Sequence, residues 1–123
     1  MKRLSLKDMT ANQLVERFME LALDQDEALL REEIATVNQI YDRLKDVEAE
    51  LKRRAGDQRR ALLRLYHHPN PQVRVKAVKA TLAVEPKAAR QMLKAIAESR
   101  EYPQAGEAGM SIRALERGIF KPT

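Results

Sequence analysis

The sequence contains no cysteine among its 123 residues. This absence excludes disulfide frameworks, thiolate nucleophiles and metal sites with cysteine ligands, and it is compatible with a reducing compartment. The chain also lacks an apolar run of membrane-spanning length, and residues 4–8 are too few and too polar for the core of a signal peptide. We therefore expect a soluble cytoplasmic protein that has no membrane among its partners.

Residues that commonly carry out catalysis are also scarce. The two histidines, His67 and His68, are adjacent, so on a helix their side chains point about 100° apart and cannot form the i, i+4 ligand pair of a zinc site. None of the three serines stands in a nucleophile-elbow pattern, and the four glycines are isolated rather than grouped in a phosphate-binding loop. We expect no enzymatic activity, no catalytic residue, no metal site, no cofactor and no small-molecule substrate.

Aromatic residues make up only 4% of the chain, which leaves few side chains on which nucleic-acid bases could stack. Positive charge, in contrast, is concentrated in one part of the sequence. Residues 1–54 contain 10 Lys and Arg against 12 Asp and Glu, a net charge of −2, whereas residues 55–123 contain 13 against 6, a net charge of +7. This excess indicates an acidic partner, either a protein surface or a nucleic acid, although excess charge also serves solubility alone.

Apolar residues recur at helical spacing along the chain, and no strand-like alternation appears. We therefore predict an all-α fold of about six helices. Thr10 and Gln13 match a capping box for a first helix over residues 11–23. Asp26 then provides a cap for the longest helix, over residues 27–54, which contains neither Gly nor Pro and is expected to end at Gly56.

The longest predicted helix carries a narrow apolar stripe, formed by Leu30, Ile34, Val37, Tyr41, Leu44, Val47 and Leu51. Such a stripe could pair with another copy of the chain as a coiled coil. In a compact α protein it more often packs on the other helices, and this is the arrangement that we favour.

A turn at Asn70 and Pro71 begins a helix that we place over residues 71–84. The Asn70 side chain can cap this helix, and Pro71 at the first helical position loses only an N–H that would have been unpaired. One face of the helix then consists of small and β-branched residues, namely Val73, Ala77, Ala80 and Val84. Such a face lets a neighbouring helix approach closely, as in stacked helical hairpins.

Three further helices are predicted over residues 58–67, 86–98 and 103–118, with Asp57, Pro86 and Pro103 at their starts and Gly118 at the last end. Gly106 and Gly109 lie inside the last of these helices. Each weakens a helix by about 1 kcal/mol relative to alanine, so their presence indicates a close backbone approach at these positions, either within the protein or with a partner.

We predict one helical-repeat domain over residues 1–123. It consists of an N-terminal helical pair, residues 11–54, followed by hairpins over residues 57–84 and 86–118. The hairpins share a weak repeat in which Leu62-Leu63-Arg64 corresponds to Met92-Leu93-Lys94, and Pro71-Gln72-Val73 to Pro103-Gln104-Ala105. A repeat of about 30 residues is typical of helical solenoids, in which each hairpin buries one face against the next.

The segment from His68 to Arg74, followed by Ala77 and Ala80, resembles the turn and second helix of HEAT-like repeats. In those repeats a proline-containing turn leads into Val-Arg and small residues, and the resemblance implies α-α hairpins stacked as a short superhelix. Taken together with residues 56–62 and 102–106, the whole chain is also similar to a small bacterial family known only as a domain of unknown function. That similarity implies a fold but no activity.

We interpret the chain as a noncatalytic helical-repeat module that binds protein, with its basic C-terminal part meeting an acidic protein surface. The alternative is a nucleic-acid backbone binder of HEAT-like type, and an enzyme of the HEAT-like DNA-repair kind is a third, less favoured interpretation. The candidate partner-binding residues are cations off the apolar stripes: Arg59, Arg60, Arg64, Lys76, Lys79, Arg113 and Arg117, with Arg90 and Lys94 as further members of this group. If they serve recognition they should be exposed, and reversing Lys76 and Lys79 to Glu should weaken binding without disturbing the fold.

Overall fold

The computed structural model describes residues 4–123, so Lys2 and Arg3, which enter the charge count above, lie outside the described residues. Within those residues the fold is all-α and contains no strand. Five α-helices are present, α1 (Ala11–Leu30), α2 (Ile34–Arg53), α3 (Pro71–Thr81), α4 (Pro86–Glu98) and α5 (Gln104–Glu116), together with 3₁₀ segments at Leu6–Asp8 and Gln58–His67. The predicted all-α fold of about six helices is confirmed.

The chain divides into two compact units, a first unit that ends at Ala61 and a second unit over Leu62–Thr123. In the first unit α1 packs along α2. The longest predicted helix therefore packs on another helix of the same chain, which is the arrangement favoured above over a coiled coil. The apolar side chains that these two helices bury include Leu14, Phe18, Leu21, Ala22, Ile40, Leu44, Val47 and Leu51. Their spacing of three or four residues gives each helix one continuous apolar face.

The start of α1 agrees with the sequence, but its end does not. Thr10 and Gln13 form the predicted capping box, with the Gln13 backbone N–H 3.1 Å from the Thr10 hydroxyl. The predicted break with a cap at Asp26 is wrong, because α1 continues to Leu30 and the chain turns at Glu32, which has a φ of 57°. Gln25 is buried in this helix and its side-chain amide donates to the Val37 carbonyl of α2 at 3.1 Å. This hydrogen bond allows a polar residue inside the helix pair.

The apolar stripe predicted for the longest helix is buried only in its second half, at Leu44, Val47 and Leu51. Because the turn lies near residue 32, α2 begins later than predicted and Ile40, rather than Tyr41, faces the core. Leu30, Ile34 and Tyr41 are exposed, with 79% of the Leu30 surface accessible.

In the second unit α3, α4 and α5 pack on one another. Asn70 caps α3 as predicted, because its side-chain oxygen accepts from the backbone N–H of Gln72 at 2.8 Å and of Val73 at 3.3 Å. The predicted small-residue face is buried at Val73, Ala77 and Ala80. The helix ends at Thr81 rather than at residue 84, whereas the bounds of α4 agree with the prediction.

The helix predicted over residues 58–67 has the expected bounds but is a 3₁₀ helix. The predicted helix end at Gly56 is wrong, because α2 ends at Arg53 with Arg54 as its C-cap, and Gly56, with a φ of 77°, lies in the turn that follows. Asp57 accepts a hydrogen bond from the Arg59 backbone N–H at 3.3 Å. Asp57 therefore caps this segment through its side chain, as the sequence predicted.

The close backbone approach predicted at Gly106 and Gly109 is wrong for contacts among residues 4–123. A Cβ atom added at Gly106 would lie 3.9 Å from the Tyr102 ring, and one added at Gly109 would lie 3.6 Å from the Arg113 guanidinium. Both distances are ordinary van der Waals contacts.

Replacing Gly109 by alanine should therefore stabilise the protein. The change adds a methyl group without a clash and removes backbone freedom from the unfolded chain, which raises the free energy of unfolding by about 0.5–1 kcal/mol. Urea unfolding followed by circular dichroism measures the difference. A lower free energy of unfolding for the variant would show that the neighbourhood of Gly109 is tighter than its contacts indicate.

Candidate partner-binding site

A groove of about 420 Å³ lies between α4 and α5 in the second unit, and we call it the α4–α5 groove. Its apolar floor is formed by Ala97, Ile112 and Leu115, which are buried or half-buried. Its exposed rim carries charged side chains: Arg90, Lys94 and Glu98 from α4, and Arg113 and Glu116 from α5. The site thus combines apolar surface with three cations and two carboxylates.

Helical spacing explains why these residues share one groove. Arg90, Lys94 and Glu98 are four residues apart and therefore lie along one side of α4, next to the buried stripe that packs into the unit. On α5 the same relation holds between Gly109 and Arg113, and Gly109 presents no side chain. The Arg113 guanidinium lies beside the Gly109 backbone at the edge of the groove.

The three groove cations are unpaired within the described part of the chain. Among residues 4–123, no side chain forms a hydrogen bond or an ion pair with the side chains of Arg90, Lys94 or Arg113. Arg90 and Lys94 are moreover like charges at i, i+4, an arrangement that destabilises a helix by about 0.2–0.5 kcal/mol. An anion bound in the groove would relieve this repulsion.

A second groove, of about 310 Å³, lies between α1 and α2 in the first unit. Its lining is electrically balanced, since it contains three arginines and three carboxylates: Arg17, Arg31, Arg43, Asp24, Glu27 and Glu33. One of these arginines, Arg31, already forms an ion pair with Glu27 at 3.6 Å. The α4–α5 groove is therefore the stronger candidate for binding an acidic partner.

Two of the predicted binding residues, Lys76 and Lys79, instead form a cluster with Glu107. Their ammonium groups lie 3.0 and 3.1 Å from the same Glu107 carboxylate oxygen, which joins α3 to α5. Burial raises the pKa of Glu107, but the two lysines outweigh this effect and hold it below its ordinary value. The Lys76 side chain is only 14% exposed, so the expectation that it is a free surface cation is wrong.

Arg59 is also not an exposed cation, because only 5% of its surface is accessible. Its guanidinium forms two hydrogen bonds with the Asp57 carboxylate, at 2.9 and 2.7 Å. The side-chain hydrogen bond from Arg59 lowers the pKa of Asp57, and the same bond raises the pKa of Arg59. This pair offsets the unfavourable position of a cation in a first helical turn.

The remaining predicted residues, Arg60, Arg64, Arg113 and Arg117, are exposed, and of these only Arg113 lines the α4–α5 groove. Arg90 and Lys94 join Arg113 there, although the sequence marked them only as further members of the basic group. Their i, i+4 spacing on one helix was the available signal. It could not show that Arg113 lies across from them.

The described residues contain no group of three or more His, Asp or Glu side chains arranged to hold a metal ion. His68 uses its Nδ1 atom to accept a hydrogen bond from the Asn70 backbone N–H at 3.0 Å. Within residues 4–123, none of the helices has the length and apolar character needed to cross a bilayer.

Comparison with known proteins places the chain in a family. It is similar to the protein RPA1889 from Rhodopseudomonas palustris CGA009, whose crystal structure matches with a TM-score of 0.94 and 46% sequence identity over 98% of this chain and 100% of that one. No curated protein matches the chain. The resemblance to HEAT-like repeats stays a prediction. A family model described as a domain of unknown function (DUF2019) matches residues 12–116, and the chain therefore belongs to this family, as its sequence predicted.

Proposed function

We propose that the chain is a noncatalytic cytoplasmic protein-binding module that recognises an acidic surface of its partner through the α4–α5 groove. The observation that carries this proposal is the convergence of three exposed cations, Arg90, Lys94 and Arg113, on an apolar floor, with no pairing partner for them among residues 4–123. Protein interfaces commonly have an apolar centre and a polar rim. Complementary charge at the rim mainly gives specificity and a high association rate.

The composition of the groove favours a protein over a nucleic acid. Glu98 and Glu116 stand on the same rim as the cations and would repel a phosphate backbone that followed the groove. The lining contains no aromatic side chain on which a base could stack. A protein surface can place its acids beside the cations and neutral or basic groups beside the two carboxylates.

Charge reversal in the groove should abolish partner binding. We compare the triple variant Arg90→Glu, Lys94→Glu and Arg113→Glu with the control Arg64→Glu, Lys52→Glu and Lys121→Glu, whose three cations are also exposed and lie outside the groove. Both variants change the formal net charge from +5 by the same amount, because each reverses three cations. A photoreactive residue at Gln91, exposed on α4 beside the groove, reports on binding in the source organism.

The expected result is a crosslinked protein with the wild type and with the control, and its loss with the groove variant. A matching photoreactive residue at Asn38, exposed on α2, should not capture the same protein. Crosslinks to nucleic acid at Gln91, or capture that is equal for both triple variants, would contradict the proposal.

A further inference from the structure

We infer that the α4–α5 groove receives an acidic amphipathic helix of the partner, an inference that rests on the proposed function and adds the form of the bound segment. The groove walls are themselves helices, whose backbone groups are largely paired within α4 and α5. The groove therefore offers side chains rather than free backbone donors and acceptors. Recognition by strand addition, which uses main-chain hydrogen bonds, is not available to it.

The apolar floor favours a helical occupant over an extended one. An extended segment lying over Ala97, Ile112 and Leu115 would press its own backbone N–H and C=O groups against apolar surface. Each group left unpaired there costs about 1–3 kcal/mol. A helix satisfies these groups internally and presents only side chains to the floor.

The positions of the charges define the pattern of the bound helix. Arg90 and Lys94 are one helical turn apart, about 6 Å along the axis, which matches two carboxylates four residues apart on the occupant. Arg113 on the opposite wall pairs with a third acidic residue of the bound helix. Apolar residues of that helix, placed between its acids, contact the floor. The occupant thus carries acids and apolar residues on one face, as in other helices that bind in grooves.

The charged residues of the rim limit the length of the bound segment. α4 and α5 are joined by a short connection and pack on each other, so they run in opposite directions. Glu98 and Glu116 are the last residues of the two helices and therefore lie at opposite ends of the groove. From Arg90 to Glu98 the axis advances about 12 Å, which corresponds to two to three turns of a bound helix whose acids lie between the two ends.

A display library of random 12-residue peptides, selected on the wild-type protein, tests this inference. We expect enriched peptides to carry two acids four residues apart with apolar residues on the same face. A synthetic peptide from the selection should gain helical circular dichroism on binding. It should bind the groove triple variant at least tenfold more weakly, and bind the matched control variant as it binds the wild type. Lys94→Ala alone, with far less change of charge, should show a smaller loss in the same direction.

The alternative outcomes separate this inference from the proposed function. Groove-dependent peptides that stay extended when bound would overturn the helical occupant and leave the protein-binding role in place. A selection that yields no groove-dependent peptide would also overturn it, whereas continued crosslinking of an acidic protein at Gln91 would preserve the proposed function. If neither a groove-dependent peptide nor a crosslink at Gln91 is obtained, the helical occupant and the proposed function are both rejected.

Discussion

Reversing Lys76 and Lys79 together to glutamate should lower the free energy of unfolding by at least about 2 kcal/mol. Both lysines pair with one oxygen of Glu107, whose side chain is only 25% exposed, so the double variant would place three carboxylates around a half-buried position. Removing the partners of a buried charge costs about 3–5 kcal/mol, and the partial exposure of this cluster reduces that figure. The loss would occur without any partner present.

The double variant is measured by urea unfolding against Arg64→Glu with Lys87→Glu. That control reverses two exposed cations of the same unit that have no pairing partner among residues 4–123, and it should change stability by no more than about 0.5 kcal/mol. Adding Glu107→Lys to the double variant should restore most of the loss by reversing the ion pairs. If the double variant is as stable as the control, the cluster contributes nothing to the fold and both lysines become candidates for recognition again.

The same cluster has a defined dependence on pH. The lysines hold the pKa of Glu107 below its ordinary value in the folded protein, so its ionised form stabilises the native state. This stabilisation is fully present above the ordinary glutamate pKa and is lost as the pH falls through the lowered value. The stability difference between the wild type and the double variant should therefore be largest near neutral pH and shrink in acid, where the added carboxylates also become protonated.

Signals confined to a few neighbouring residues were sufficient to place most helix starts. The capping box at Thr10 and Gln13, the cap at Asn70 and the proline at the start of α4 each depend on hydrogen bonds or backbone angles within one turn. The end of α1 was missed because a cap signal at Asp26 competes with the packing of α1 on α2, and the packing prevails. Intrinsic propensity is too weak to decide such a case.

The candidate site depended on contacts that sequence spacing does not contain. Lys76 and Lys79 resemble exposed cations in sequence, yet their partner Glu107 lies 31 and 28 residues away. Arg90, Lys94 and Arg113 are equally ordinary in sequence, and they are distinctive because the packing of α4 on α5 brings them into one groove, where no side chain among residues 4–123 pairs with them. Which cations stay available for a partner is therefore decided by the packing of α3, α4 and α5, not by local charge.

A weak repeat in the sequence does have a structural counterpart, and it leads to the second large expected effect. Gln72 and Gln104 occupy equivalent positions beside Pro71 and Pro103 in the two repeated segments. In the structure both side chains are buried, and the Gln104 amide donates to the Gln72 side-chain oxygen at 2.8 Å, joining the starts of α3 and α5. The repeat thus brings its own equivalent residues together in the second unit.

Replacing Gln104 by leucine should lower the free energy of unfolding by about 1–3 kcal/mol, because the buried oxygen of Gln72 loses this donor. Replacing both glutamines by leucine removes the two polar partners together and should destabilise less than the sum of the single changes. Urea unfolding of the four proteins in a double-mutant cycle gives the coupling free energy directly. We expect at least about 0.5 kcal/mol of favourable coupling between the two glutamines. Strictly additive losses would mean that the hydrogen bond adds nothing specific, and that the repeated glutamines are held by their separate contacts rather than by each other.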